Sequence, residues 1–142
     1  MVGWLSVKDI YNFDNKNLNL KEDASVLELG AQCLHSIFVM GKAIELVNSI
    51  GIQNIEKRLY ELTTYLITKL KELDLEIISP TDEKYQSPIV IIKLKDSKEI
   101  VKQLSEKRII VSERMGQVRA SVNIFNNKKD IGRFIFELKK II

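Results

Sequence analysis

Cysteine is nearly absent from this chain: Cys33 is the only one in 142 residues. No internal disulfide can form, and a chain that folds without such staples is expected in a reducing cytoplasm. Histidine is equally scarce, with His35 alone. Without a second histidine or a Cys-x-x-Cys pair, the usual zinc-ligand spacings are missing. No apolar run reaches the length of a membrane span, and Asp9 and Asp14 fall too early for a secretory signal peptide, so no membrane partner is expected. Repeats, low-complexity tracts and a nucleophile elbow are also missing. The formal charge is +3, but the lysines are scattered among glutamates and no aromatic-interleaved basic stripe occurs. Nucleic acid is therefore not expected as a partner.

What remains has the composition of an ordinary globular protein, 45% hydrophobic and 29% charged, long enough to bury a core. Residues 1 to about 28 are polar and rich in Asn and Asp, with isolated apolar anchors at Trp4 and Phe13, which reads as an irregular arm. From Gly30 to Ile50 runs a long segment with few charges, including Leu34, Ile37, Phe38, Met40, Ile44 and Val47. A helix apolar on most sides has to be covered on most sides, so this one predicts a second subunit or a further domain. Ile52, Ile55, Leu59, Leu62, Leu66, Leu70 and Leu73 step by three and four and predict a second helix with a single apolar stripe. Thereafter the pattern alternates: strand 75–79, strand 88–95, helix 97–107, strand 108–114, strand 117–124 and helix 128–141. The expected fold class is α+β, long helices followed by a small, mainly antiparallel sheet with helices on one face. The expected division is residues 1–50, arm and apolar helix, and 51–142, a small α+β domain.

The most specific stretch is residues 112–126. Val118, Ala120, Val122 and Ile124 alternate with Arg119, Ser121 and Asn123, a period of two. Met115-Gly116 supplies a turn after the β-branched run 108–114. Pairing the strands about that turn sets Ser112 opposite Arg119 and puts Arg114 on the same face. An arginine on a strand between small residues is a fixed fork for a carboxylate or phosphate. Ser112 and Ser121 have no base beside them and read as small spacers. Asn126 or Asn127 reads as a turn former and cap for the last helix, where Asp130 suits the first turn. His35 in the apolar helix reads as a histidine making one structural hydrogen bond, and Cys33 as a small packed hydrophobe.

The run Arg114-Met-Gly-Gln-Val-Arg-Ala-Ser121, followed by Phe125-Asn126 and Asp130-Ile131, resembles the C-terminal signature of class V aminotransferases. These are the pyridoxal-phosphate (PLP) enzymes that include cysteine desulfurases, selenocysteine lyases and isopenicillin N epimerase-like proteins. Further landmarks follow in the family's order: Gly3-Trp4, Phe13-Asp14, Leu27-Glu-Leu-Gly-Ala31, Ile50-Gly-Ile-Gln-Asn-Ile-Glu-Lys-Arg58, Ser79-Pro80 and Ser87-Pro88-Ile-Val90.

The resemblance implies that residues 1–50 correspond to the tail of a large domain with its dimer interface, and 51–142 to the small domain. It implies that Arg119 binds the α-carboxylate of an amino acid with Arg114 nearby, and that PLP is the cofactor. Gly30, Ala31 and Gln32 fall where the family contacts the partner subunit's cofactor phosphate, but Ala31 replaces a threonine and has no hydroxyl. The Schiff-base lysine would fall before Met1, so no catalytic residue is expected on this chain. The desulfurase cysteine loop is also missing, because Arg114 runs straight through Gly116 to Arg119. Three expectations stay open. The chain is the C-terminal part of a PLP enzyme whose N-terminal part carries the lysine, as a homodimer or with a separately encoded domain. Or it is a non-catalytic remnant, dimerising or binding an anion; or it is an unrelated α+β module.

Overall fold

The computed structural model describes residues 1–14 and 16–142, and the chain divides into two compact units, Met1–Ser49 and Ile50–Ile142. In the first unit the arm is tied to itself. Short 3₁₀ turns at Trp4–Ser6 and Ala24–Leu27 are joined through Ser6, whose buried hydroxyl donates to the Val26 carbonyl at 2.5 Å and accepts from the Gly3 N–H at 3.0 Å. A bridge between Val7 and Leu20 closes the loop. Gly3 is required by crowding, since a Cβ there would lie 1.9 Å from the Leu29 carbonyl oxygen. Helix α1 covers Leu34–Ile50, and every one of its residues is exposed, Phe38 by 74%. The apolar surface that predicts a covering partner is bare in this chain.

The second unit holds the core. Helix α2, Ile52–Lys71, buries Leu62, Thr63, Leu66, Ile67 and Leu70. The predicted stripe is therefore right in its centre, with Thr63 and Ile67 widening it and Ile52 left exposed. Thr63 enters the core because its hydroxyl donates to the Leu59 carbonyl at 2.7 Å, so no polar atom is left unsatisfied. Strands β1, Ile89–Ile92, β2, Ser112–Arg114, and β3, Gln117–Ser121, form an antiparallel sheet in the order β1-β3-β2. Val90, Ile92, Val118, Ala120 and Val122 turn one sheet face inward to meet Leu104 of α3, Ser97–Glu106, and Ile131, Phe134 and Leu138 of α4, Lys128–Ile141. The α+β architecture with helices on one sheet face is the one expected.

All four expected strands are shorter than the pattern suggests: 88–95 forms only Ile89–Ile92 and 117–124 only Gln117–Ser121, and the other two are cut for one shared reason. Asp74 and Arg108 adopt positive φ, 56° and 59°, directly after α2 and α3. Each closes its helix in a Schellman pattern: Leu75 N–H reaches the Leu70 carbonyl, and Ile109 N–H the Leu104 carbonyl. The residues that follow are spent on helix closure. Hence 108–114 pairs only over Ser112–Arg114, and 75–79 retains a single bridge, Ile77 to Ile92, flanked by Ile78 N–H to the Ile91 carbonyl. The Ser79 hydroxyl accepts from the Ile91 N–H at 2.8 Å and ends that edge, before Pro80.

The β2–β3 turn has positive φ at both central residues, Met115 at 51° and Gly116 at 76°, the signature of a type I′ hairpin. Glycine suits its place; methionine does not. Replacing Met115 by Asn is expected to raise stability by up to about 1 kcal/mol. Leu104→Ala, which empties a fully buried site, is expected to cost about 2–5 kcal/mol. Urea unfolding midpoints of the two variants against the parent chain check both.

Candidate carboxylate-binding site

The register decides where the candidate residues lie. Arg119 occupies the central strand, paired with Ser112 of β2 on one side and Ile91 of β1 on the other. Its chain neighbours Val118 and Ala120 are buried, so its Cα is held by two ladders and a packed layer beneath. Alternation then puts Ile89, Ile91, Ser112, Arg114, Gln117, Arg119 and Ser121 on the face away from the helices. Ser112 lies opposite Arg119, as the hairpin pattern predicts, but as more than a spacer: its Oγ accepts a hydrogen bond from Arg119 Nε at 3.0 Å. Arg114 shares the face and is exposed at the hairpin end, opposite Gln117. Gln117 is occupied elsewhere, its Oε1 accepting from the Leu94 N–H at 3.1 Å.

Electrostatically this face is one-sided. None of its seven residues is acidic, and among the described residues every ion pair uses a lysine and none an arginine. Arg119 is half-buried, so part of its hydration has been removed without a carboxylate to replace it. A guanidinium in that condition favours an incoming anion. The nearby cleft of about 330 Å³ is a different feature. It opens on the helix side, lined by Ala120, Val122, Leu66 and Phe134, and its Arg133 donates to the Lys107 carbonyl at 2.6 Å, closing the C-terminus of α3.

The loop after β3 is fixed by residues whose function is structural. Asn126 Oδ1 accepts from the Asn123 N–H at 2.8 Å. Arg58 of α2 donates to the Asn126 carbonyl at 3.0 Å, a tie between distant segments that helix periodicity does not reveal. Asn127 caps α4, accepting from the Lys129 and Asp130 N–H groups, while the Asp130 carboxylate accepts from the Asn127 N–H, a complete capping box.

In the first unit, Gly30, Ala31 and Gln32 stand ahead of α1, whose first helical residue is Leu34. The Leu34 N–H is taken by the Gln32 carbonyl at 3.0 Å. Ala31 and Gln32 are exposed, and Gly30 lies against the Trp4 indole. His35 is exposed, and the structural hydrogen bond expected of it is not formed among the described residues, because α1 is uncovered. Cys33, expected to be packed, is exposed as well. Its thiol is held below the ordinary cysteine range, first by a hydrogen bond donated from the Ser36 hydroxyl at 3.1 Å.

Comparison with known proteins follows the same outline. The family described as Aminotransferase class-V matches residues 6–134. A kynureninase of Shouchella clausii (strain KSM-K16) is 27% identical over 149 aligned positions, which take in 100% of this chain and 35% of that protein. The apo cysteine desulfurase of Thermococcus onnurineus NA1 superposes with a TM-score of 0.83 at 18% identity, over 100% of this chain and 38% of that one. A cystine C-S lyase solved with its product cysteine persulfide superposes at 0.76 and 18% identity, over 96% of this chain and 37% of that one. A variant of the same lyase carries glycine covalently linked to its PLP cofactor. The chain thus spans little more than a third of the length of these proteins.

The Cys33–Ser36 contact yields a chemical prediction. Ser36→Ala removes the donor that lowers the thiol pKa, so the pKa rises and the thiolate fraction at pH 7 falls. Alkylation of Cys33 by iodoacetamide at pH 7 is expected to slow severalfold, and to reach the parent rate above the thiol pKa. Mass spectrometry of the modified chain measures it.

Proposed function

Because this chain belongs to the class V aminotransferase family, we propose that it is the carboxylate-binding small domain of a PLP-dependent enzyme acting on an amino acid. The observation that carries the reading is Arg119: half-buried, fixed by its register and by Ser112, and without an acidic partner among the described residues. Its guanidinium matches the planar carboxylate of an amino acid. Arg114, exposed on the same face, adds positive potential and draws the anion toward the sheet.

The residues described do not by themselves form a PLP site. When bound, PLP supplies the electron sink that this family's chemistry needs. It requires an amine for its tether and an acid for its ring nitrogen. The Arg119 face offers neither a lysine nor a carboxylate, and Ala31 has no hydroxyl for the phosphate. We assign the cofactor lysine to polypeptide outside these 142 residues, and no catalytic step to this chain alone. The bare apolar surface of α1 is assigned to contact with that part or with a second copy of the chain. An alternative as a non-catalytic anion-binding module is favoured by one observation, the alanine at position 31.

Two measurements test this. Sheet amide resonances of residues 112–121 are expected to shift with L-alanine and not with L-alaninamide, which lacks the carboxylate. Arg119→Gln is expected to weaken that response at least about tenfold, hydrogen bonds to charged groups contributing roughly 1.5–3 kcal/mol. Equal responses to the two compounds would refute the carboxylate assignment. For α1, size-exclusion chromatography with light scattering is expected to show the parent chain larger than a monomer and Phe38→Asp as a monomer. A monomeric parent chain rejects self-association.

A further inference from the structure

We infer that Ser112 is a positioning residue, and that by holding Arg119 Nε it makes the site take its carboxylate end-on, through the two Nη atoms. The inference rests on the carboxylate reading above and sharpens it. A guanidinium has two edges that can grip a carboxylate with paired hydrogen bonds: a side edge, Nε with one Nη, and an end edge, Nη1 with Nη2. Here Nε donates to Ser112 Oγ at 3.0 Å, an ordinary length for such a bond. The side edge is therefore spent within the protein. Only the end edge keeps two parallel donors for a ligand, and no described hydrogen bond uses either Nη of Arg119.

The geometry behind this choice is cross-strand and rigid. Ser112 and Arg119 are direct register partners, so the hydroxyl and the guanidinium stem stand side by side on one face. Serine is short enough to reach Nε and leave the outer edge uncovered. Ile91 borders Arg119 from the opposite strand and offers no polar atom that could compete for the guanidinium. The hydroxyl adds no charge, so it fixes the fork without neutralising it, whereas an acid at 112 would occupy the fork itself. The consequence is a carboxylate held at the tip of the side chain, standing off the sheet in line with the guanidinium axis.

The test uses the full chain with arginine labelled in its side-chain nitrogens, titrated with L-alanine and, as the carboxylate-free control, L-alaninamide. In the parent chain L-alanine is expected to shift the Arg119 Nη resonances while Nε–H moves little. In Ser112→Ala the Nε–H is released, is expected to exchange faster with water and to join the ligand-induced shift, and alanine binding is expected to weaken about fivefold. Ser112→Thr, which keeps the hydroxyl on a strand-favouring side chain, is expected to restore the parent pattern. A parent Nε–H that shifts as much as Nη overturns end-on binding. Binding and Nε–H exchange in Ser112→Ala equal to the parent, or a Ser112→Thr variant as impaired as Ser112→Ala, overturns the positioning role. In each of those cases discrimination between alanine and alaninamide persists. Its loss in the parent chain instead defeats the carboxylate reading, and this inference with it.

Discussion

The pairing of Ser112 with Arg119 across the β2–β3 hairpin is the constraint on which the rest of the site depends. The type I′ turn at Met115-Gly116 allows one register, and that register separates two populations of side chains. Val118 and Ala120 go to the helices and are buried, while Arg119 goes to the open face. The interior layer is what makes the arginine precise: a strand anchored below by Leu104 and Leu138, and on both edges by ladders, gives the guanidinium little freedom at its base. The Ser112 hydroxyl then removes most of the freedom at Nε.

Around that centre the unit is arranged to leave one face of the sheet bare. All three helices of this unit lie on the inner side, and α3 and α4 are closed and capped by residues that also hold the loops next to the hairpin. Arg133 pins the end of α3, Arg58 pins the loop before α4, and Asn127 with Asp130 starts α4. Three arginines, Arg58, Arg119 and Arg133, thus make side-chain hydrogen bonds within the unit, yet only Arg119 does so on the open face. That face carries Arg114 and Arg119 and neither a lysine nor an acid.

Much of this was legible in the residues. The period of two over 117–122, the Met-Gly turn and the signature Arg-x-Gly-x-x-Arg were enough for the hairpin, its register and the family. The stripe of α2 was equally readable, and the cap of α4 to within Asn126 or Asn127, its reciprocal bond with Asp130 emerging only in the structure. What could not be read depends on residues acting against type. Asp74 and Arg108 end helices in a conformation that usually signals itself with glycine, so the strands after them looked longer than they are. Ser112 looked like a spacer because its hydroxyl finds its partner only across the strand. The tie made by Arg58 could not be read because its acceptor, the Asn126 carbonyl, belongs to a distant loop. Cys33 and His35 looked packed because an apolar helix implies a cover, whereas both are exposed.

The exposure of the hairpin tip has a consequence for how such a site can diversify. Met115 is 98% exposed, and nothing lies within 4 Å of a Cβ built on Gly116. Extra length spliced between Arg114 and Gln117 falls outside the paired residues of both arms. One residue added inside 117–119 would reverse the parity of the arm and turn the guanidinium toward Leu104 and Leu138. The tip is open ground for new side chains, while the arms have to keep their count.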